Sequence, residues 1–427
     1  MKVYNQPEKA IWQDLLSRPT QSVTDIEETV SQVFDDVQKH GDKAILKYTS
    51  MFDAVDLKNQ IVSQNEINQA VSKVSTELKT AIDLAKHNIE AFHEAQRGSV
   101  IERETTTGVR CWQEKRPIEK VGLYIPGGTA PLFSSVLMLA IPARIAGCQE
   151  MVLCTPPGKN GQIADEILYT AQLCGITQII KVGGIQAIAG LTFGTETISQ
   201  VYKIFGPGNQ FVTVAKQLAT KYGVAIDMPA GPSELLVLAD ETANAAYVAS
   251  DLLSQAEHGV DSQVILVSTS STLIDKVLKQ VKVQLANLPR KSIADQAIAH
   301  SKCIYLESKE LALELVNSYA PEHLIICVKD EDFYTKGLIN AGSVFLGNYT
   351  PESAGDYASG TNHTLPTNGF SRAYSGVNLD SFMKSMTFQK ITADGIRAIG
   401  PAIELMAEAE GLQAHKNAVT LRLKDLN

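Results

Sequence analysis

At 427 residues the chain is too long for one ordinary core and is expected to fold as two or three domains. Its 44% hydrophobic and 20% charged residues exclude a disordered polymer, and a formal net charge of −9 argues against a nucleic-acid or anionic-membrane partner. No apolar run reaches the roughly 20 residues that cross a bilayer, and Met1-Lys2-Val3-Tyr4-Asn5-Gln6-Pro7 lacks a secretory apolar core, so a cytoplasmic protein acting on a small molecule is expected.

In chain order, residues 22–94 are polar with aliphatics at helical spacing, first Ile26, Val30, Val33 and Val37, then Ile67, Val71, Val74, Leu78 and Ile82. This predicts a helical N-terminal region. Val121-Gly122-Leu123-Tyr124-Ile125 then reads as a buried strand, ended by Pro126-Gly127-Gly128 before an apolar helix over 132–140. Strand, glycine turn and helix recur. Strands at 151–154, 179–182 and 201–205 are followed by helices at 163–174 and 185–191 and by the turn Gly206-Pro207-Gly208-Asn209. A second series has strands at 235–238, 264–267, 303–306 and 324–326, with a helix over 243–257. Such alternation means parallel strands with crossover helices. The last fifty or so residues lack a strong strand signal and read as a helical tail with Ile396, Ile399 and Ile403 on its apolar face. The six cysteines sit mostly in apolar surroundings without a CxxC pair, which fits reduced structural thiols rather than a nucleophile or a cysteine metal site.

The polar motifs each carry two readings. The Gly206-to-Asn209 turn is half a dinucleotide fingerprint, and Asp227 lies near the distance at which a ribose-binding acid is sought, yet a turn-forming aspartate reads equally well. In Ser254-Gln255-Ala256-Glu257-His258-Gly259, Gln255 and His258 share one helix face as metal ligands would; alternatively, His258 closes the helix end. Distant partners for a metal are Asp356 and His415. Ala320-Pro321-Glu322-His323-Leu324 sets a carboxylate beside an imidazole just before a strand, suited to acid/base work or to a solvated strand edge. His363, in a further polar loop, is a turn residue or an anion contact.

Taken together and in order, these motifs resemble histidinol dehydrogenases over nearly the whole chain: the turn 122–128, Gly206-to-Asn209, the blocks 226–234, 254–259, 320–324 and 355–363, and Glu410-Gly411-Leu412-Gln413-Ala414-His415. The loop Gly158-Lys159-Asn160-Gly161 looks like one that varies in that family. The resemblance implies NAD-linked, zinc-dependent four-electron oxidation of L-histidinol to L-histidine through the aldehyde. It makes Gln255, His258, Asp356 and His415 the zinc ligands, Ser233, Glu410 and His323 substrate contacts, and Tyr124, Gln186 and Asn209 the NAD contacts. His323 would be the general base, and Glu322 would activate water for the aldehyde step. The implied architecture is α/β, with two incomplete Rossmann-like parallel-sheet domains, an N-terminal helical extension and a C-terminal helical tail. Residues 1–22 form the extension, 23–122 and 235–378 a discontinuous domain with the catalytic and metal residues, 123–234 an inserted NAD-binding domain, and 379–427 a tail crossing to the partner of an intertwined homodimer. Two rival functions stand beside it: a zinc hydrolase using Glu322 on a metal-bound water, and a non-catalytic small-molecule binder of similar build.

Overall fold

The computed structural model describes residues 1–19, 23–127, 130–229 and 231–426, the side chains of 23–25 apart. Gly128 of the first glycine turn, Ala230 of the 226–234 block and the expected boundary at residue 22 lie outside the described residues. In chain order the strands are β1 (Lys2–Asn5), β2 (Ile101–Thr106), β3 (Val109–Pro117), β4 (Lys120–Tyr124), β5 (Glu150–Cys154), β6 (Gln178–Ile180) and β7 (Lys203–Phe205). They continue with β8 (Ala225–Ile226), β9 (Glu234–Ala239), β10 (Gln263–Ser268), β11 (Lys302–Tyr305), β12 (His323–Cys327), β13 (Ser343–Leu346) and β14 (Met383–Ile391).

Two parallel sheets carry the molecule. One has the order β6-β5-β4-β7-β8, the other β1-β11-β10-β9-β12-β13. Their central strands are aliphatic because helices cover both faces; Leu235, Leu236, Val237, Val264, Ile265 and Leu266 are fully buried. A third sheet, β14-β3-β2, is antiparallel and largely exposed. Among the described residues no helix is long and apolar enough to cross a membrane.

The helices of 23–94 pack on the two faces of the five-stranded sheet. On one face, Val30, Val33 and Val37 of the helix Val23–His40 pack with Tyr124, Val152, Ile180 and Ile188. On the other, Ile82, Ala85 and Ile89 of the helix Thr76–Glu94 pack with Leu123, Leu137 and Ile141. The predicted apolar stripes were sound, but a stripe does not say which sheet it meets. Residues before 20 go to the other sheet: β1 pairs with β11 from Lys2↔Lys302 to Asn5↔Tyr305, and Trp12, Leu15 and Leu16 pack on Leu236 and Leu238.

The tail does contain two helices, Ala393–Ala409 and Gln413–Lys424, packed on each other. It opens, however, with β14, paired antiparallel to β3 from Met383↔Pro117 to Ile391↔Val109, a strand the sequence did not signal. With neither face of β14 buried, nothing forces the alternation by which a strand is recognised.

Candidate active site

The site grows from the amino edge of the six-stranded sheet. His323 is the first residue of β12, opposite Leu235 of β9 and Ser343 of β13. Ala320 ends the helix Lys309–Tyr319 at φ 54°, a left-handed turn costly for a residue with a Cβ, and swings Pro321-Glu322 back toward the sheet. Gly342 lets the neighbouring strand approach: a Cβ there would meet the Glu322 carbonyl oxygen at 2.5 Å. Crossover helices run antiparallel to the strands, so the helix Ala245–Ala256, leading from β9 to β10, brings its C-terminal end to this same edge. Asn244 caps its start by accepting from Ala246 N–H, and Val248, Leu252 and Ala256 give it a buried face.

Glu322 and His323 lie side by side. Oε2 of Glu322 accepts a hydrogen bond from the Glu234 backbone N–H at 2.8 Å and stands 3.6 Å from Nδ1 of His323. Glu352 Oε1 is 3.5 Å from that same nitrogen, and Asp356 Oδ1 is 3.8 Å from Nε2. Nε2 has no hydrogen-bond partner among the described residues. Burial works to lower the His323 pKa, but the surrounding carboxylates of Glu352, Glu322 and Asp356 outweigh it and hold the imidazolium up to about 10. Burial pushes the Glu352 carboxyl well above its ordinary range, and nearby Asp251 is pushed up to about 7 for the same reason.

Glu352 and Asp356 sit four residues apart on the short helix Glu352–Tyr357, so both face the imidazole. Like charges at that spacing repel, and both oxygens of Glu352 lack a hydrogen-bond partner among the described residues. Such a buried, anion-rich cluster asks for a cation. His323, Glu352 and Asp356 each offer a ligand atom, all within 4.8 Å of one another. Gln255 is fully buried, with both amide atoms unpartnered among the described residues, near the end of the helix that packs on Glu352–Tyr357. Nitrogen and oxygen donors of this kind suit zinc.

Of the other anticipated residues, His258 is exposed just past the helix end and Ser233 is half-buried immediately before β9. Glu410 and His415 are exposed, flanking the junction of the two tail helices, and neither bonds to another site residue among the described residues. His363 is half-buried rather than a surface turn. Its Nδ1 bonds the Asp356 carbonyl at 2.9 Å, which makes Nδ1 the donor, so Nε2 accepts from the Ser135 hydroxyl at 2.9 Å. Sequence reasoning missed Glu352, although its four-residue spacing from Asp356 was the available signal. It also missed the support beneath the site, where Arg18 Nε and Nη2 each donate to Glu234 at 2.7 Å.

A separate cavity of about 900 Å³ opens at the carboxyl edge of the five-stranded sheet. Tyr124 and Asn209 line it, and Gln186 lies just behind Gly184 of the lining. Asn209 caps the helix Gln210–Lys221 by accepting from Val212 N–H. Gly206, at φ 127°, passes so close to the Tyr124 carbonyl that any Cβ would collide with it. Asp227 proves to be the turn-forming aspartate: it pairs with buried Lys216 and accepts from the N–H groups of Gly206 and Met228.

The histidinol dehydrogenase family model matches residues 16–423. A histidinol dehydrogenase of Bacteroides thetaiotaomicron is 58% identical over 426 residues, covering all of both chains, and that of Pasteurella multocida is 51% identical, covering 99% of this chain and 98% of its own. The crystal structure of histidinol dehydrogenase from Elizabethkingia anophelis superposes with a TM-score of 0.98 at 58% identity, over 100% of this chain and 99% of that one. An acetylating aldehyde dehydrogenase from Geobacillus thermoglucosidasius, at 15% identity and a TM-score of 0.50, shares only the fold. With its paired α/β sheets and a buried histidine ringed by carboxylates, the chain belongs to the histidinol dehydrogenase family of oxidoreductases.

Proposed function

We propose that this chain carries out, in the cytoplasm, the last step of histidine biosynthesis, the NAD-linked oxidation of L-histidinol to L-histidine through L-histidinaldehyde. The observation that carries the reading is the buried His323, flanked by Glu322 and with Nε2 unpartnered among the described residues. Gln255, His258, Asp356 and His415 would hold zinc, which supplies an anchor for the substrate's imidazole and amine. The unpartnered amide of Gln255 and the excess of buried carboxylate support that fit. Ser233 and Glu410 would complete the substrate contacts, and Tyr124, Gln186 and Asn209 would hold the dinucleotide. Exposure of Glu410 and His415, with Leu405, Met406, Leu412 and Leu421 exposed around them, supports an intertwined homodimer in which the tail completes the neighbouring subunit's site.

Each step sets a requirement on the protein. Loss of a hydride from the alcohol carbon requires a base for the hydroxyl proton, and Nε2 of His323 takes it. With zinc bound, the charge of Asp356 would be offset, and the His323 imidazole would return toward the range where it is neutral and basic. The aldehyde carbon loses a second hydride only after water adds. Glu322 takes a proton from that water, the hydrated aldehyde gives up its hydride, and His323 accepts the remaining proton as the carboxylate forms.

The deciding assay is histidinol with NAD, with and without a chelator. Two NADH per histidine, lost on chelation and restored by zinc, is the expected result. Chelator-sensitive ester or amide hydrolysis without NADH would establish the hydrolase instead, and binding without turnover would establish a mere binding protein.

A further inference from the structure

The cavity is not lined by its own sheet unit alone. Thr29, Phe52 and Asp53, from the helices Val23–His40 and Asp42–Asp53, form part of its wall. In the usual dinucleotide fold, an acid at the end of the second strand binds the ribose hydroxyls of NAD. Here that strand is β5, and the residues that follow it, Thr155-Pro156-Pro157-Gly158, include no carboxylate. Asp227 is committed to Lys216 and two backbone N–H groups.

Among the described residues two carboxylates line the cavity, Asp53 and Asp165. Asp165 lies in the first turn of its helix, where an anion is favoured, and pairs with Lys73 at 3.4 Å. Asp53 is placed against every local preference. It ends the helix Asp42–Asp53, where the dipole disfavours an anion, and no ion pair to it is found among the described residues. Its hydrogen-bond partner is Nε2 of Gln186 at 3.4 Å, and burial pushes its carboxyl up to about 6. Gln186 in turn is fully buried and leaves Oε1 without a partner among the described residues. A carboxylate so poorly served by the protein, beside an unsatisfied amide, is what a site for vicinal hydroxyls requires.

We infer that Asp53 receives the ribose hydroxyls of the dinucleotide and repels a 2′-phosphate, so that the N-terminal helices set the preference for NAD(H) over NADP(H). This rests on the proposed reading of the cavity as the cofactor site and adds the group that selects the cofactor. A carboxylate accepts from both hydroxyls but meets a phosphate dianion with like charge and no donor.

The test titrates the intact protein and its Asp53→Asn and Asp53→Ala variants with NADH and with NADPH, following cofactor fluorescence and checking each fold by circular dichroism. The wild type is expected to prefer NADH. In Asp53→Asn the NADH Kd should rise about tenfold, as loss of a charge-assisted hydrogen bond implies, while the NADPH Kd holds or falls. An unchanged NADH Kd in both folded variants, or a wild type that binds NADPH as tightly, overturns the inference while leaving the cofactor site standing. A wild type that binds neither dinucleotide overturns the cofactor reading and the role of Asp53 with it.

Discussion

Glu352 stands 3.5 Å from Nδ1 of His323, with neither of its own oxygens hydrogen-bonded to any described residue. With Glu322 and Asp356 it favours a proton on the imidazole against burial, and in the proposed mechanism that proton must leave before His323 acts as a base.

Replacing Glu352 by Gln should therefore lower the His323 pKa. A general base works in its unprotonated form, so the acid limb of kcat/KM should move to lower pH, by about 1 unit for about 1.4 kcal/mol of lost charge interaction. Asp at this position should restore part of the shift. A limb that stays in place while kcat/KM drops at every pH would mean that Glu352 acts through structure alone.

Glu322→Gln should separate the two oxidations. Alcohol oxidation survives, whereas the aldehyde step, needing activated water, slows by about 10²–10⁴-fold. Stopped-flow NADH formation from histidinol and from histidinaldehyde would read the two steps apart, and equal losses in both would argue against the water-activating role.

Arg18→Ala strands the Glu234 carboxylate, which is buried beneath Glu322, without its bidentate partner. Breaking such a pair costs about 3–5 kcal/mol, while replacing both members by neutral residues costs much less. Urea unfolding of Arg18→Ala and of Arg18→Met/Glu234→Gln should show this difference; matching midpoints would place the stability elsewhere.

His323→Asn should lose most turnover with zinc retained, and His415→Ala should lose zinc. Mixed and allowed to exchange subunits, the two inactive proteins should recover activity at sites that combine an intact His323 with an intact tail. No recovery after exchange confirmed by mass would count against a shared site.

Much of this was legible in the chain itself. Val30, Val33 and Val37 showed their helical stripe because a buried face imposes a period, and β9, β10 and β12 showed as aliphatic runs because both their faces are covered. Partner choice between packed layers leaves no such mark. Hence the stripes of 23–94 did not say which sheet they meet, and the exposed strands β1 and β14 were taken into an expected helical extension and an expected helical tail. At the site, Glu322-His323 stood out because charge interrupts an apolar strand. Glu352 did not, since an acid near a helix start is ordinary until its burial is known.

The pairing of β1 with β11 bears on how the chain is made. Roughly 300 residues separate Lys2–Asn5 from Lys302–Tyr305, and at ordinary translation rates they emerge about 15–60 s apart. The leading segment must wait on the ribosome until its partner strand exists, while the five-stranded sheet, whose strands run from 120 to 226, can close first. The edge strand of the six-stranded sheet is thus synthesised well before its partner and is among the last parts to be seated, so a bulky domain fused ahead of it should slow the final stage of maturation more than it lowers equilibrium stability.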